Sequence, residues 1–163
     1  MTTQRRRRAA SRPEKTVAES ASDMVQVVLP NDTNPLGNVL GGRVMHWIDL
    51  VGAIVAYRHC HLPVVTASME RLDFHHPIRL GEIVILKAVL VYVGRTSMEV
   101  LVEVYTDDHS TGTRKTTSTA RITYVAIDAK GRPTPVPALR LTSDEERRRF
   151  EEARRRRETE GRA

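Results

Sequence analysis

Cysteine is nearly absent from this chain. Cys60 is its only one, so no intramolecular disulfide can form, and a reducing, cytoplasmic setting is the default. Long hydrophobic runs are absent as well. None approaches the ~20 apolar residues that a membrane-spanning helix needs. The N-terminus, MTTQRRRRAASRPEK, is charged but lacks the apolar stretch that would follow in a secretory signal. An Arg-rich, Ser-containing start also suits an organellar transit peptide, but this one is short and has no amphipathic period. There is no internal repeat. A metal centre is not expected either. His59-Cys60-His61 has suitable residue types, but adjacent ligands at a helix end point apart.

What is there is 163 residues, enough for one domain with a core that folds without staples. The net charge of +6 is unevenly spread: +3 in residues 1–23, +2 in 24–141 and +1 in 142–163. The core segment is therefore close to balanced. Arg5 to Arg8 and Arg154 to Arg157 are the only basis for a nucleic-acid partner. A solvated tail and a charged surface helix account for them better. Residues 1–22 are polar and aperiodic and read as a disordered basic tail. Residues 23–141 read as the folded domain, and 142–163 as a charged C-terminal helix.

One stretch organises the domain. Asn34 to Tyr57 reads NPLGNVLGGRVMHWIDLVGAIVAY: a glycine-punctuated loop, then a helix from about Gly42 to His59. Apolar residues occur on all sides of that helix, which predicts one surrounded by protein. Asp49 does not fit a bland core, because an acid in mid-helix is no cap and is expensive to bury. It shares a face with Gly42, Met45, His46, Gly52, Ala53 and Ala56. Gly52 costs roughly 1 kcal/mol relative to Ala in a helix. Close packing against another backbone explains that, and so does room for a ligand. The acid, the bare N–H groups at the helix start and the upstream amide of Asn34 form a candidate active site.

After Leu62-Pro63 the pattern turns to strands. Met24 to Leu29 is already a short β-prone run ahead of the helix. Val64 to Phe74 switches phase near Glu70-Arg71, which predicts a β-bulge. Ile83 to Val93 is apolar almost throughout, which predicts a central strand. Ser97 to Tyr105 alternates, with Met98, Val100, Val102 and Val104 on one face. Lys115 to Ile127 follows after a hairpin turn. The last helix starts near Thr142, where Ser143 and Glu146 suit a capping box. One apolar helix followed by antiparallel strands implies an α+β fold with the sheet wrapped around the helix. The apolar run 83–93 hints that its second face or its edge is buried in an oligomer.

These residues, taken in order, resemble the hotdog-fold acyl-CoA thioesterases of the YciA and brain acyl-CoA hydrolase type. The resemblance rests on Asn34-Pro-Leu-Gly37, Gly41-Gly42, Trp47-Ile48-Asp49, Val65-Thr66-Ala67 and Asp73-Phe74. It continues through Pro77, Gly81, Val93 to Glu99 and Val125 to Asp128, and covers roughly residues 24–150. It implies a hotdog fold, a homodimer at least and often a trimer of dimers, and hydrolysis of acyl-CoA to free CoA and a carboxylic acid. It implies that Asp49 is the general base or nucleophile and that Asn34, from the opposite subunit, positions water or the thioester. Gly41 and Gly42 mark the helix start, with the Gly42 amide polarising the thioester carbonyl. Gly94, Arg95, Thr96 and Ser97 match the segment that contacts CoA.

The chemistry suits those residues. Thioester hydrolysis needs a base, donors for the charge that develops on the carbonyl oxygen, and alignment. Burial raises a carboxylate's pKa and makes Asp49 a better base. A helix start offers unpaired N–H groups at a positive dipole end, and a glycine there leaves the carbonyl unobstructed. Arg95 with its neighbouring hydroxyls suits phosphate. Thr66 is near the acid or simply strand filling, and His76 lines the substrate entry or is a solvated turn. No cofactor or metal is called for, CoA being part of the substrate. Two rivals remain: a hotdog hydroxyacyl thioester dehydratase, which would use His46, and a non-catalytic acyl-CoA-binding protein.

Overall fold

The segment with the cleanest alternation becomes the middle of the sheet. In the computed structural model, which describes residues 11–161, Ser97–Asp107 (β5) lies at the centre of a five-stranded antiparallel sheet. Its neighbours are Ile83–Val93 (β4) and Arg114–Ala126 (β6). Ser22–Val27 (β2) pairs outside β4, and Val64–Phe74 (β3) outside β6. The order is β2-β4-β5-β6-β3. The sheet wraps around the long helix Gly41–Cys60 (α1). Met98, Val100, Val102 and Val104 of β5 are fully buried against it, as are Val44, Ile48, Val51 and Val55 of the helix. Each such side chain contributes about 1.5–3 kcal/mol on burial.

β4 is apolar on both faces because both are covered within the chain. Its inner face meets α1. Its outer face, with Val91 and its neighbours Val89 and Tyr92, meets the C-terminal helix Asp144–Thr159 (α2). Ala153 is buried there, and Phe150 packs its ring 5.0 Å from that of Tyr92. This corrects the expectation that the run 83–93 marks an oligomer contact, and it places β4 beside the centre of the sheet. The helix start is as expected: the Ser143 hydroxyl accepts from the Glu146 amide. The Glu146 carboxylate reaches back to the Thr142 amide instead of that of Ser143.

β3 is an open edge with two register shifts. The one between Glu70 and Asp73 answers to the phase switch; the one between Thr66 and Ser68 left no such mark. The helix is surrounded on one side only within this chain. Leu50, Ile54 and Tyr57 form an exposed stripe, Met45 is exposed on the flank nearer the helix start, and Val65 on β3 is exposed too.

The N-terminal segment needs a second correction. Disorder was expected through residue 22, and the part of that expectation falling on residues 1–10 lies outside the described residues. From residue 11 the chain is built into the fold. Glu14–Thr16 (β1) pairs in parallel with Ala138–Arg140 (β7). Val17 and Ser20 are buried, and Arg12 bonds to backbone carbonyls on two loops. Polar fasteners hold this segment, so it carries no hydrophobic period. Among the described residues, no helix is long and apolar enough to cross a membrane.

Candidate active site

Asp49 sits midway along α1 and is half-buried. Its Oδ1 accepts a 2.8 Å hydrogen bond from the Thr66 hydroxyl. The Tyr124 hydroxyl lies 2.8 Å from the Asp49 backbone carbonyl and 3.2 Å from Oδ1. A phenol has one proton to give, so the shorter contact is the hydrogen bond and the longer a close approach. Burial, then the Asp49 charge, push the Tyr124 phenol far above its ordinary value, which keeps it a donor at any working pH. Thr66 and Tyr124 are register partners across β3 and β6. Gly52 lets the tyrosine in: a Cβ there would lie 2.3 Å from Tyr124 Oη. The glycine answers to close packing against a side chain, and the space beside it is filled.

The start of α1 forms a second cluster. Leu40 caps the helix, and its carbonyl accepts from the amides of Arg43 and Val44. Among the described residues the Gly41 and Gly42 amides have no acceptor, and nothing would lie within 4 Å of a Cβ on Gly42. Arg43 pairs with Asp32 at 2.9 Å and ties the helix start to the preceding turn. Beside it opens a cleft of about 360 Å³, walled by Gly41, Val44, Phe74, His76 and Ile78. Asn34 lies in the loop ahead. Its side-chain carbonyl accepts from the amides of Leu36 and Asn38, at 3.0 and 3.2 Å. This is the turn bonding that its position before Pro35 suggests, and among the described residues the NH2 group has no acceptor.

The CoA-contacting candidates form a tight turn between β4 and β5. The Gly94 amide bonds to the Ser97 carbonyl at 2.9 Å. Arg95 is exposed at the tip, and Thr96 and Ser97 are half-buried. The Ser97 hydroxyl oxygen accepts from Arg157, at 3.3 Å, which leaves its O–H to donate. Ser97, Val125 and Val65 form one cross-strand row, and Met98, Tyr124 and Thr66 the next. The turn is therefore at the same end of the sheet as the Asp49–Thr66 pair.

The predicted residues thus fall into two groups. Asn34, Gly41, Gly42 and His76 lie at the start of α1. Asp49, Thr66 and the Gly94–Ser97 turn lie further along. At ~1.5 Å per residue, the Gly42 amide and Asp49 are about 10 Å apart along one rigid axis. A single chain thus presents the acid and the helix-start donors about two turns apart on α1. Sequence reasoning did not single out Tyr124, Arg12 or Arg157 as site residues. His59 and His61 diverge as expected: His59 Nε2 meets the Pro137 carbonyl at 2.8 Å, and His61 Nε2 lies 2.8 Å from Lys15 Nζ.

A sheet wrapped around one long helix, with the catalytic candidates on that helix and its leading loop, defines a hotdog-fold protein. Residues 36–113 match the thioesterase superfamily. Over 119 residues the chain is 41% identical to YkhA of Bacillus subtilis, an uncharacterized acyl-CoA thioester hydrolase, covering 73% of this chain and 69% of that one. It is 37% identical to the cytosolic acyl coenzyme A thioester hydrolase of Rattus norvegicus over 84% of its own length, but spans only 36% of that longer protein. Among solved structures, an acyl-CoA hydrolase of Staphylococcus aureus, in complex with butyryl coenzyme A and coenzyme A, superposes with a TM-score of 0.84. It is 35% identical, with 91% of each chain covered. An apo-hexameric acyl-CoA thioesterase gives 0.86 at 38% identity, covering 90% of this chain and 94% of the other. This chain belongs to the thioesterase superfamily. The S. aureus enzyme has also been solved as alanine variants at an aspartate, an asparagine and a threonine. Their sequence intervals are the same as those separating Asn34, Asp49 and Thr66 here.

Proposed function

We propose that this protein hydrolyses acyl-CoA thioesters to free CoA and a carboxylic acid, at a site shared between two copies of the chain. The observation that carries the reading is the pair of half-sites. An acid aligned by Thr66 lies on one stretch of α1, and helix-start amides with no acceptor among the described residues lie about 10 Å away along it. A second copy placed along the β3 edge and the exposed stripe of α1 would bring its own Asn34 and Gly42 to the first copy's Asp49. It would also cover Met45, Leu50, Ile54 and Tyr57, whose exposure is otherwise unexplained. The hexameric structural relative supports assembly beyond a dimer.

The reaction then runs on side chains and backbone. Asp49 takes a proton from a water that attacks the carbonyl carbon, or attacks that carbon itself to give a mixed anhydride that water then hydrolyses to the acid. The Gly42 amide, at the positive end of the helix, meets the oxyanion. Asn34 donates to the water or to the thioester. The thiolate of CoA leaves and takes up a proton. Thr66 keeps the carboxylate in one orientation, and Arg95 offers a cation to the phosphates of the CoA portion. The cleft beside Gly41 would take the acyl end, and His76 stands at its rim. A cytosolic location is supported by the name of the mammalian relative. The dehydratase reading weakens here, since the Asp49 carboxylate is held by Thr66 and no bond to His46 exists among the described residues.

The test is thiol release from a panel of acyl-CoAs of different length. Asp49→Asn is expected to lower kcat by about 100-fold or more. Thr66→Val, which removes a hydrogen bond to a charged acceptor, is expected to lower it by about 10-fold. Wild-type turnover that persists in Asp49→Asn would sink the mechanism. Binding of acyl-CoA without turnover would make the protein a sensor instead.

A further inference from the structure

The Gly94–Ser97 turn is gripped from two sides by arginines that come from opposite ends of the chain. On its carbonyl edge lies Arg12. Its Nη2 donates to the Gly94 carbonyl at 2.6 Å and approaches the Arg95 carbonyl at 3.4 Å, while its Nε donates to the Val136 carbonyl. The Val136 amide donates in turn to the Arg95 carbonyl at 3.0 Å. One guanidinium therefore ties the turn to the loop before β7. On the other side lies Arg157, near the end of α2. Its Nη2 donates to the Ser97 hydroxyl, and its Nη1 lies 3.4 Å from both Thr123 Oγ1 and a Glu99 oxygen. Its plane rests 4.8 Å over the Tyr92 ring. Glu99 is 1% exposed and the Arg157 side chain 12%, so this contact is built in and dry. Gly94 completes the grip, because a Cβ there would come within 2.9 Å of Ser97 Oγ.

Between the two grips the Arg95 side chain is left exposed, with no hydrogen bond or ion pair among the described residues. A surface arginine on a loose turn would lose freedom on meeting a phosphate, and that loss weakens binding. A turn already fastened at its carbonyls and at its one inward hydroxyl presents the cation with less to lose. We propose that Arg12 and Arg157 are positioning residues for the nucleotide end of the substrate. They act through the Gly94–Ser97 turn, and they leave the chemistry at Asp49 alone. The proposal rests on the hydrolase reading above for its substrate and on the turn's own geometry for the rest.

The experiment uses the full-length protein and two substrates with the same acyl group: the CoA thioester, and the pantetheine thioester that lacks the phosphorylated nucleotide. Affinity for free CoA is measured alongside by calorimetry. Arg12→Ala is expected to raise KM for acyl-CoA, and Kd for CoA, by about tenfold. Neither kcat nor the KM for acyl-pantetheine should move by more than about twofold. Arg12→Lys should restore little, because an ammonium cannot span the Gly94 and Val136 carbonyls as the fork does. Arg157→Ala should behave as Arg12→Ala does. If it fails to fold, Arg12→Ala alone decides. Equal loss on both substrates, or none on either, would overturn the proposal. Full rescue by Arg12→Lys would overturn it too, since charge alone would then be acting. A wild type that binds CoA but hydrolyses neither thioester would refute the hydrolase reading, while the CoA affinities would still report on the turn.

Discussion

Replacing Gly52 by alanine tests whether the acid is held by packing. In an open helix this change would stabilise by about 1 kcal/mol. Here the new Cβ would meet Tyr124 Oη at 2.3 Å and Cε2 and Cζ at 3.0 Å. The ring is fully buried between α1 and the sheet, and its hydroxyl is bonded to the Asp49 carbonyl. It has nowhere to go without leaving that bond. Overpacking of a tight core costs about 1–3 kcal/mol, and a buried group left without its partner about 1–3 more. After the propensity gain, a net destabilisation of about 1–5 kcal/mol remains. For a chain of this size each kcal/mol lowers Tm by about 2–4 °C. Tyr124→Phe removes the worst contact, so the double variant should be less unstable than the sum of the singles, with a coupling of about 1–2 kcal/mol. Urea and thermal unfolding at one fixed protein concentration measure all four proteins, the fixed concentration keeping assembly out of the comparison. Thiol release should fall in Gly52→Ala, because the displaced ring disturbs the face that carries Asp49. A Gly52→Ala protein with a raised Tm, or strict additivity in the cycle, would refute the reasoning.

Two further predictions concern groups outside the reaction. Burial pushes the His59 imidazole below its ordinary pKa, helped by the charges of Lys15 and Arg12 and opposed by the Pro137 carbonyl and Glu19. Its Nδ1 is buried without a partner, so a second proton there would find no acceptor. The unfolded chain takes up that proton below pH ~6.5, before the folded one does. The neutral form therefore stabilises the fold fully above that pH, and the contribution is lost as pH falls toward the lowered folded value. The urea midpoint should drop between pH 7.5 and 5.5 in the wild type, and less steeply in His59→Gln; equal slopes would show that His59 is not responsible. Glu99→Ala should destabilise by about 3 kcal/mol, because it strands Arg156 and Arg157 beside a dry sheet face. Proteolytic release of α2 from an otherwise folded domain would be its signature, and unchanged urea resistance would show that the ion network adds nothing.

The strands were legible wherever a side-chain period met a covered face. Val64 to Phe74 and Ile83 to Val93 have the ends read from the sequence, because turn residues bound runs of β-branched residues. The meaning of the 83–93 run was not legible, since an apolar second face looks the same whether α2 or another subunit covers it. Asp49 stood out as an acid in the wrong place, whereas Tyr124 looked like any strand residue until the β3–β6 register set it beside Thr66. Gly52 announced a close approach but not its partner. The segment from Arg12 to Ser20 was illegible for a different reason: guanidinium-to-carbonyl bonds hold it, and such bonds leave no pattern in spacing.

Arg12 and Arg157 reach the turn from far along the chain, across 82 residues to Gly94 and 60 to Ser97. Contacts so distant in sequence are late to form, because long loops must close before they are rewarded. During synthesis the sheet can assemble around α1 while the last turn of α2 has yet to emerge. The turn at the middle of the chain then becomes rigid only when the newest residues arrive and the oldest fold back. Wear would run the same course in reverse: a protease that trims either end removes one of these two ties, and the Gly94–Ser97 turn is the first part to loosen.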